Sequence, residues 1–265
     1  LGILCQIIPE LAMTKGVTQP KAHYWNVWEH LLHTVETAEL ITKGHQNSPI
    51  YSLAPWTPES ETYFGQIVSD GHTRRTILKL TALLHDIAKP QTKATDASGR
   101  TRFLGHSELG AEMATARLTE LRLSSNGISM VSKMIEAHLR PSSMIQGTEY
   151  PTKRAVFRYF RSLGDLAVDT IYLALADYLA AKGPHLMADK WAEHAKIMTH
   201  ILHLGTQQIT TSAVEKLVTG RDLMEKLDIE SGPMIGYLLN IIEEARAAGE
   251  ISNREQALAL ALKVR

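Results

Sequence analysis

Apolar residues recur along the chain with the 3.6-residue period of amphipathic helices. The first stripe predicts a helix over residues 26–43 and consists of Val27, Leu31, Val35 and Ala38. Similar stripes, bounded by capping residues, prolines and glycines, predict further helices over residues 74–89, 107–121, 128–139, 152–162, 166–181 and 188–204. No segment alternates apolar and polar residues convincingly, so the pattern predicts an all-α protein.

Prolines and capping residues define several of the predicted boundaries. Pro90 is expected to end the helix over residues 74–89, and Asp165 is expected to cap the helix over residues 166–181. Residues 45–72 contain several prolines and glycines and predict mostly loop, with one short helix at most.

The chain is predicted to form two domains. Residues 205–211 are the best linker candidate, and they separate a large helical domain over residues 1–204 from a small helical domain over residues 205–265. Three short helices are predicted beyond residue 211, over residues 212–217, 233–248 and 253–262, the last capped by Asn253. With 265 residues, 44% of them hydrophobic, the chain has enough apolar side chains for proper cores.

Charge and cysteine content narrow the classes of function. The 28 basic and 28 acidic residues balance, so bulk charge indicates neither a nucleic-acid nor a membrane partner, although a local basic patch is compatible with it. The single cysteine, Cys5, excludes an intrachain disulfide and a cysteine-rich zinc site and favours the cytoplasm. No apolar run approaches the roughly 20 residues that span a bilayer. The first residues lack a basic segment and a methionine, which predicts no signal peptide and a chain taken from a longer protein.

Two carboxylates lie inside apolar helical segments. Asp86 follows His85 in LTALLHDIA, and Asp177 lies in IYLALADYLAA. A buried carboxylate requires a partner, which can be a basic side chain or a metal ion. A solvated helix end for Asp86 and a salt bridge to Lys or Arg for Asp177 are the structural alternatives. Metal binding is favoured because other helices supply further candidate ligands.

Histidines are those further candidates. His30 borders the first apolar stripe, with His33 one turn on; His106 follows a glycine at a helix start. His138 lies in the last turn of a helix, where the helix dipole alone also favours a histidine. The remaining histidines are interpreted mostly as surface or packing residues: His23, His45, His72, His185, His194, His200 and His203.

Imidazoles with carboxylates and no thiolate suit Fe, Mn, Ni, Co or Zn and, with fewer imidazoles, Mg. Such an ion lowers the pKa of a coordinated water, which favours hydrolysis near neutral pH. Lys89, one turn beyond His85, and Arg140, beside His138, are candidate phosphate-binding residues, with plain surface cations as the alternative.

The order of these residues resembles the HD superfamily of metal-dependent phosphohydrolases. That pattern has a histidine on one helix, a His-Asp pair on the next and a late aspartate, matched by His30 in WEHLLHTVE, His85-Asp86 in LLHDIAKP and Asp177 in LALADYLA. The resemblance implies an HD-domain helical bundle over residues 1–204 in which these four side chains hold a divalent metal ion.

The same resemblance implies roles for other histidines. It implies that His106 and His138 bind a second ion or transfer protons. His33 departs from the family pattern, because relatives often carry another residue there, and it leaves open whether the first-helix ligand is His30 alone.

A narrower similarity covers nearly the whole chain. HDIAKPQTKATDASGRTRFLGHSELGA and LVTGRDLMEKLDIESGPMIGYLLNIIEEARAAGEISNREQALAL resemble the HD and C-terminal regions of bacterial CCA-adding enzymes and poly(A) polymerases. The similarity implies an RNA-binding tail and a phosphorylated nucleotide or RNA (tRNA) substrate. The GS motif and paired aspartates of that family's nucleotidyltransferase head are absent. The chain is therefore expected to be the C-terminal part of such an enzyme, with residues 1–22 as a remnant of a preceding helical region.

Two functions of different classes follow. The first is an active phosphohydrolase acting on a phosphomonoester or cyclic phosphodiester of a nucleotide or an RNA 3′ end. The second is a catalytically silent HD scaffold and RNA-binding module that supports a nucleotidyltransferase domain. A nucleotidase unconnected with RNA is a third, which the tail motif disfavours. Retention of all four core ligand types favours the first.

Overall fold

The computed structural model describes residues 2–44, 47–145, 149–214 and 216–264. In chain order its α-helices are α1 (Leu4–Ile7), α2 (Val27–Thr42), α3 (Pro58–Gly65), α4 (Arg74–Leu84), α5 (Lys89–Thr92), α6 (His106–Glu120), α7 (Ser125–Ala137), α8 (Arg140–Ser143), α9 (Lys153–Leu163), α10 (Ala167–Lys182), α11 (Ala188–Val214), α12 (Gly220–Leu227), α13 (Pro233–Ala248) and α14 (Arg254–Val264). Short 3-10 helices cover Pro9–Thr14, Tyr51–Leu53, Gly164–Leu166 and Gly183–His185. The predicted all-α class is confirmed.

Two short antiparallel hairpins add to the helices. β1 (Ile67–Ser69) pairs with β2 (His72–Thr73), and β3 (Lys93–Thr95) pairs with β4 (Thr101–Phe103). The first turn is Asp70-Gly71, where both residues have positive φ, 51° and 75°, as a type I′ hairpin turn requires. Strands of two or three residues are too short to show an alternating pattern, which is why the sequence did not indicate them.

The chain separates into two compact units. Unit 1 comprises Leu1–Thr148 and Asp165–Thr199, and unit 2 comprises Glu149–Gly164 and His200–Arg265. This grouping differs from a division after residue 204, because α9 packs against α13 and so joins the C-terminal residues. Sequence order alone cannot reveal such a return of the chain.

Unit 1 is built around a bundle of α2, α4, α6, α7 and α10. α2 packs against α4 and α10, and α7 packs against α4 and α6. Leu31, Leu78 and Leu173 are fully buried in this core, and burial of each such side chain stabilises the fold by about 1.5–3 kcal/mol. Twelve of the 16 residues of α10 are buried, which explains its continuous apolar sequence. Among the described residues, no helix is both long enough and apolar enough to cross a membrane.

Polar caps define several helix starts. The Asn26 carboxamide accepts a hydrogen bond from Glu29 N at 3.1 Å and begins α2, as the stripe predicted. Asn253 accepts one from Gln256 N at 3.0 Å and begins α14, so this predicted cap is confirmed. The predicted cap at Asp165 is wrong, because this residue lies inside a 3-10 helix and α10 begins after Leu166 without a side-chain cap.

Proline also acts differently from the expectation over residues 74–89. α4 ends at Leu84, residues 85–88 form turns, and Pro90 lies in the first turn of α5. Proline is tolerated there because the first N–H groups of a helix have no intrahelical acceptor. Pro90 therefore begins a helix rather than ending one, and the same holds for Pro141 in α8.

Unit 2 has its own apolar core between α12, α13 and α14, to which the described part of the chain contributes ten buried residues, among them Leu223, Leu238 and Ile242. α12 was not predicted, whereas α13 has the predicted bounds. The predicted linker over residues 205–211 is wrong, since these residues continue α11. Gly205 serves close packing instead, because a Cβ at this position would collide with the Phe160 ring.

We expect Gly205→Ala to lower the free energy of unfolding of unit 2 by about 1–3 kcal/mol, because the methyl group forces the Phe160 ring to move. Urea denaturation followed by circular dichroism measures the change. Gly236→Ala is the matched control: this glycine lies in α13 with no atom within 4 Å of an added Cβ. It should stabilise the helix by about 0.5–1 kcal/mol. Equal effects of the two substitutions would contradict the packing role of Gly205.

Candidate metal centre

Each helix of the unit 1 bundle brings a potential ligand to one buried point. His30 lies on α2, His106 is the first residue of α6, and Asp177 lies on α10. The other side chains follow helix ends, and they are His85 and Asp86 after α4 and His138 after α7. The six residues predicted as metal-binding or proton-transferring positions therefore lie together.

The His-Asp pair lies on a turn rather than within a helix. Ile87 N donates to Leu84 O at 3.1 Å, and Lys89 N donates to Asp86 O at 3.0 Å, so tight turns replace the α-helical pattern. Unwinding at this point turns two consecutive side chains into the core, where His85 is 0% and Asp86 1% exposed. A regular helix would have directed them about 100° apart.

The first half of the centre joins α2, the His-Asp turn and α10. His30 Nε2 lies 3.3 Å from His85 Nε2, 3.4 Å from Asp86 Oδ2 and 3.0 Å from Asp177 Oδ1. His85 Nε2 lies 3.3 Å from Asp86 Oδ2 and 3.8 Å from Asp177 Oδ1. The ion-pair partners of Asp177 among the described residues are thus imidazoles, not the Lys or Arg of the structural alternative.

The second half lies on the other side of the same carboxylate. Asp86 Oδ1 is 3.3 Å from His106 Nε2 and 3.8 Å from His138 Nε2, and the two Nε2 atoms are 3.4 Å apart. Asp86 therefore faces one histidine pair with each oxygen. This geometry allows one carboxylate to bridge two cations.

Backbone carbonyl groups orient three of the imidazoles. Nδ1 of His85 lies 2.9 Å from Ala82 O, Nδ1 of His106 lies 2.6 Å from Phe103 O, and Nδ1 of His138 lies 2.6 Å from Ile135 O. A carbonyl can only accept, so each Nδ1 carries a proton and each Nε2 faces the centre, where the neutral form of the imidazole presents a lone pair. This arrangement is typical of metal-ligating histidines.

The buried groups shift one another's pKa values. Burial alone would lower the pKa of His85, but the Asp86 and Asp177 carboxylates outweigh it and raise this pKa to about 10. Burial opposes ionisation of both carboxylates, yet Lys89 and His85 hold the pKa of Asp86 well below its usual range. The neighbouring imidazoles do the same for the pKa of Asp177. Burial, with the charge on His85, lowers the pKa of His138 to about 4. The carboxylates around His85 thus create a position in the core that favours a positive charge, here a proton on the imidazole.

These observations fit a divalent metal ion. Asp86 Oδ1 is buried without a hydrogen-bond partner, which is unfavourable unless a cation or water reaches it. The Nε2 atoms of four histidines lie 3.0–3.8 Å from the oxygens of Asp86 and Asp177, within groups whose ligand atoms lie within 4.8 Å of one another. The set contains nitrogen and oxygen donors without sulfur, which suits Mn, Fe, Co, Ni or Zn and, with more oxygen ligands, Mg.

One potential metal ligand, His23, was not identified from the sequence. His23 was taken as a surface or packing residue, but its ring meets that of His30 edge to face at a centroid distance of 5.3 Å. It forms a further potential ligand group with His30 and Asp177. Burial and the nearby charge of Lys89 lower the pKa of His23 to about 4. His23 lies in a coil before α2, where no periodicity distinguishes inward from outward side chains.

The other predicted positions divide into two groups. Lys89 reaches the centre, with its Nζ 2.5 Å from Asp86 Oδ2 and 2.7 Å from Gln19 Oε1. Arg140 is exposed at the start of α8 and does not line the cleft described below. His33 is 40% exposed, pairs with Glu36 and stacks on Trp25, so His30 alone of the two faces the centre. His45 lies outside the described residues.

A cleft of about 530 Å³ opens onto the centre. Its lining includes His23, Asp86, Lys89, Arg102, His106, His138 and Asp177. Lys89 and Arg102 provide positive charge on its wall, and Arg102 was not predicted. Lys89 pairs with Asp86 and Arg102 pairs with Asp96, and the acidic Glu108 also lines the cleft.

Known proteins resemble the chain in the same regions. The HD domain family matches residues 27–182, and the family described as tRNA nucleotidyltransferase domain 2 matches residues 194–262. A CC-adding tRNA nucleotidyltransferase of Thermus thermophilus is 29% identical over 99% of the chain and 50% of its own length. An A-adding tRNA nucleotidyltransferase of Deinococcus radiodurans is 28% identical over 98% of the chain and 51% of its own length.

A more distant relative, a bifunctional uridylyltransferase/uridylyl-removing enzyme of Xanthomonas campestris, is 28% identical over 70% of the chain and 19% of its own length. The chain spans about half the length of the two tRNA nucleotidyltransferases. Both proteins match it across both units, as the sequence resemblance predicted. With the family match over residues 27–182 and the convergent histidines and aspartates, the chain belongs to the HD domain family.

Proposed function

We propose that the chain is a metal-dependent phosphohydrolase that acts on a nucleotide or on the phosphate at an RNA 3′ end. The observation that carries the proposal is Asp86, which faces a histidine pair with each oxygen at the floor of an open cleft. Lys89 pairs with Oδ2, but Oδ1 is buried without a hydrogen-bond partner, and four imidazole Nε2 atoms lie within 3.8 Å of the carboxylate. A lysine alone does not account for this arrangement, whereas a bound cation does.

The proposed ligands are His30, His85, Asp86 and Asp177, with His106 and His138 for a second ion or for proton transfer. When bound, a divalent ion lowers the pKa of a coordinated water and offsets phosphate charge. Lys89 and Arg102 on the cleft wall would bind the phosphate oxygens and hold the phosphorus near the ligand cluster.

The RNA part of the proposal rests on the relatives. Two of them carry tRNA nucleotidyltransferase in their names, and residues 194–262 match a family named for the same activity. A third relative is named for uridylyl removal. We therefore infer that the chain acts within a CCA-adding or poly(A) polymerase-like protein and that its C-terminal residues, 205–265 in the sequence-based division, bind RNA.

Hydrolysis assays with Mn²⁺, Ni²⁺, Co²⁺, Zn²⁺ or Mg²⁺ test the proposal. We expect release of p-nitrophenol from bis(p-nitrophenyl) phosphate and opening of adenosine 2′,3′-cyclic phosphate. His85→Ala should reduce both rates by more than about 100-fold, because it removes a ligand whose orienting partners alone are worth 10–100-fold. His72→Ala, at an exposed histidine on β2, is the control and should retain the wild-type rates.

A catalytically silent scaffold is the second candidate, favoured by the match of the C-terminal residues to a tRNA nucleotidyltransferase domain. It predicts RNA binding that His85→Ala leaves unchanged and no hydrolysis by the wild type with any of the metals. Detectable hydrolysis that depends on His85 would exclude it.

A further inference from the structure

A second concave site lies beside the metal centre. It is a pocket of about 320 Å³ lined by Lys21, Tyr24, Tyr178, Lys182, His185 and Lys190, here called the lysine pocket. No acidic side chain lines it among the residues described. Three lysines and two tyrosines in one concavity combine positive charge with aromatic rings, the combination that single-stranded nucleic acids require.

The pocket is held together by specific bonds. Tyr24 N donates to Ala181 O at 2.8 Å, and Lys182 Nζ donates to Ala22 O at 3.2 Å, which anchors the segment before α2 to the end of α10. His194 stacks on Tyr178 at 4.1 Å and an interplanar angle of 12°, which fixes that ring. The walls therefore have a defined geometry.

Positive charge remains available in the pocket. Lys190 pairs with Glu193 at 3.2 Å, and this ion pair offsets part of its charge. Lys182 bonds a carbonyl and lies 5.3 Å from the Tyr178 ring centroid, and neither contact cancels its charge. Lys21 is exposed. A phosphate in the pocket would meet the ammonium groups of Lys21 and Lys182.

Tyr24 offers a surface to a base. Its side chain is 46% exposed, and His185 meets its ring edge to face at 4.8 Å. Trp25 meets the ring at a similar angle at 4.7 Å, and no ring stacks parallel to Tyr24 among the described residues. Stacking of a base on such a ring contributes about 1–3 kcal/mol per base and does not depend on base identity.

Chain connectivity places the lysine pocket next to the metal centre. His23 and Asp177 belong to one potential ligand group there, and each is followed directly by a tyrosine of the pocket, Tyr24 and Tyr178. Successive Cα atoms are only about 3.8 Å apart. Two neighbouring nucleotides of one polynucleotide strand can therefore occupy the two sites.

We propose that the lysine pocket binds the nucleotide next to the reacting 3′ terminus of a single-stranded RNA, with Lys21 and Lys182 at its phosphate and Tyr24 against its base. This inference rests on the proposed phosphohydrolase function and adds a minimum substrate length of two nucleotides for full affinity. Specificity for bases is not expected, because no amide or carboxylate lines the pocket among the described residues.

Fluorescence anisotropy measures binding of a 5′-fluorescein-labelled RNA pentanucleotide with a 3′-phosphate to the full chain and so tests the pocket. EDTA is present so that hydrolysis does not interfere. Lys21→Ala/Lys182→Ala should raise Kd about 10-fold and reduce the slope of log Kd against log salt by about 0.7, since the two lysines neutralise one phosphate and each neutralised phosphate on a single strand contributes about 0.7. Lys133→Ala/Lys196→Ala removes the same charge at exposed positions outside the pocket and should leave the slope unchanged. Equal slopes for the two double variants would overturn the proposal.

Two further variants separate binding from folding. Lys182 anchors a segment, so Lys21→Glu, at an exposed residue, repeats the charge test without touching that contact; an unchanged Kd would count against the pocket. Tyr24→Ala should raise Kd at least about 5-fold, and Tyr24→Phe should restore it because the ring is retained. Failure of the phenylalanine to rescue would contradict stacking.

Kinetics connect the pocket to the reaction. The ratio of kcat/KM for a dinucleotide over a mononucleotide, both with a 2′,3′-cyclic phosphate, should fall about 10-fold in Lys21→Ala/Lys182→Ala. An unchanged ratio would overturn the subsite. Weaker pentanucleotide binding in this variant, with no hydrolysis by the wild type, would contradict the phosphohydrolase and still support the pocket.

Discussion

Asp86→Asn is expected to reduce hydrolysis by more than about 100-fold and to lower the metal content of both halves of the centre. The carboxylate lies 3.3–3.4 Å from His30 and His85 through Oδ2 and 3.3 Å from His106 through Oδ1. Asparagine keeps the shape but has no charge and only one oxygen. Metal analysis of the purified chain, together with the hydrolysis assay above, measures both effects.

Two other substitutions make this prediction specific. His138→Ala should lower the metal content of the second half only, since His138 approaches Asp86 Oδ1 and not the His30 side. Asp228→Asn is the matched control: the residue is exposed, and its φ of 49° lies in the left-handed region, which asparagine accepts readily. Wild-type metal content and rate in Asp86→Asn, with the fold intact by circular dichroism, would refute the bridging role.

Arg74→Met is expected to lower the free energy of unfolding of unit 1 by about 3–5 kcal/mol, the usual effect of removing one partner of a buried ion pair. Arg74 Nη1 donates to Asp169 Oδ2 at 2.7 Å, and Tyr63 OH donates to the same oxygen at 2.6 Å. Arg74 is 8% and Asp169 1% exposed. Without the guanidinium, a buried carboxylate loses its countercharge. Urea denaturation measures the loss.

The pH dependence of this loss has a definite sign. Burial raises the pKa of Asp169 although Arg74 and Tyr63 oppose the shift, so removal of Arg74 should raise it further. A folded-state pKa above the unfolded value means that the folded state binds more protons, and stability then falls as pH rises. The deficit of Arg74→Met should therefore be smaller near pH 5 than near pH 8.

Two comparisons test the mechanism. Arg74→Met/Asp169→Leu should recover much of the loss, since apolar residues often replace a buried ion pair without penalty. Arg102→Met removes a pair between half-exposed Arg102 and Asp96 and should change stability by less than about 1 kcal/mol. A deficit for Arg74→Met as small as that of Arg102→Met would show that the buried pair contributes little.

The sequence indicated positions whose chemistry conflicts with their surroundings. Asp86 and Asp177 were noticeable because a carboxylate inside an apolar helical pattern needs a partner, and the structure brings both to the same histidines. Their role as metal ligands stays a prediction. His23 and Arg102 could not be found in this way, because both lie in segments without an apolar period against which to judge them.

Local backbone geometry explains the remaining differences. The sequence predicted one helix through residues 74–89, since the apolar period continues past Leu84 and Pro90 resembles a helix end. Arg140 was expected near His138 because the residues are close in sequence, but the chain leaves α7 at Ala137 and Arg140 begins α8. An interruption of a helix by a few residues does not alter the apolar stripe in the sequence. Only the structure therefore reveals which side chains such an interruption redirects.

The potential ligands lie on, or directly after, five different helices, and this arrangement has a kinetic consequence. A site built from one helix keeps its donors together when that helix moves as a whole, whereas here any partial opening of the bundle separates donor atoms. Escape of a bound ion would then require the same openings that expose core amides to solvent. The exchange rate of a labelled ion would thus measure how often the bundle opens locally. Tighter packing far from the centre would make such openings rarer and lengthen the residence time of the ion.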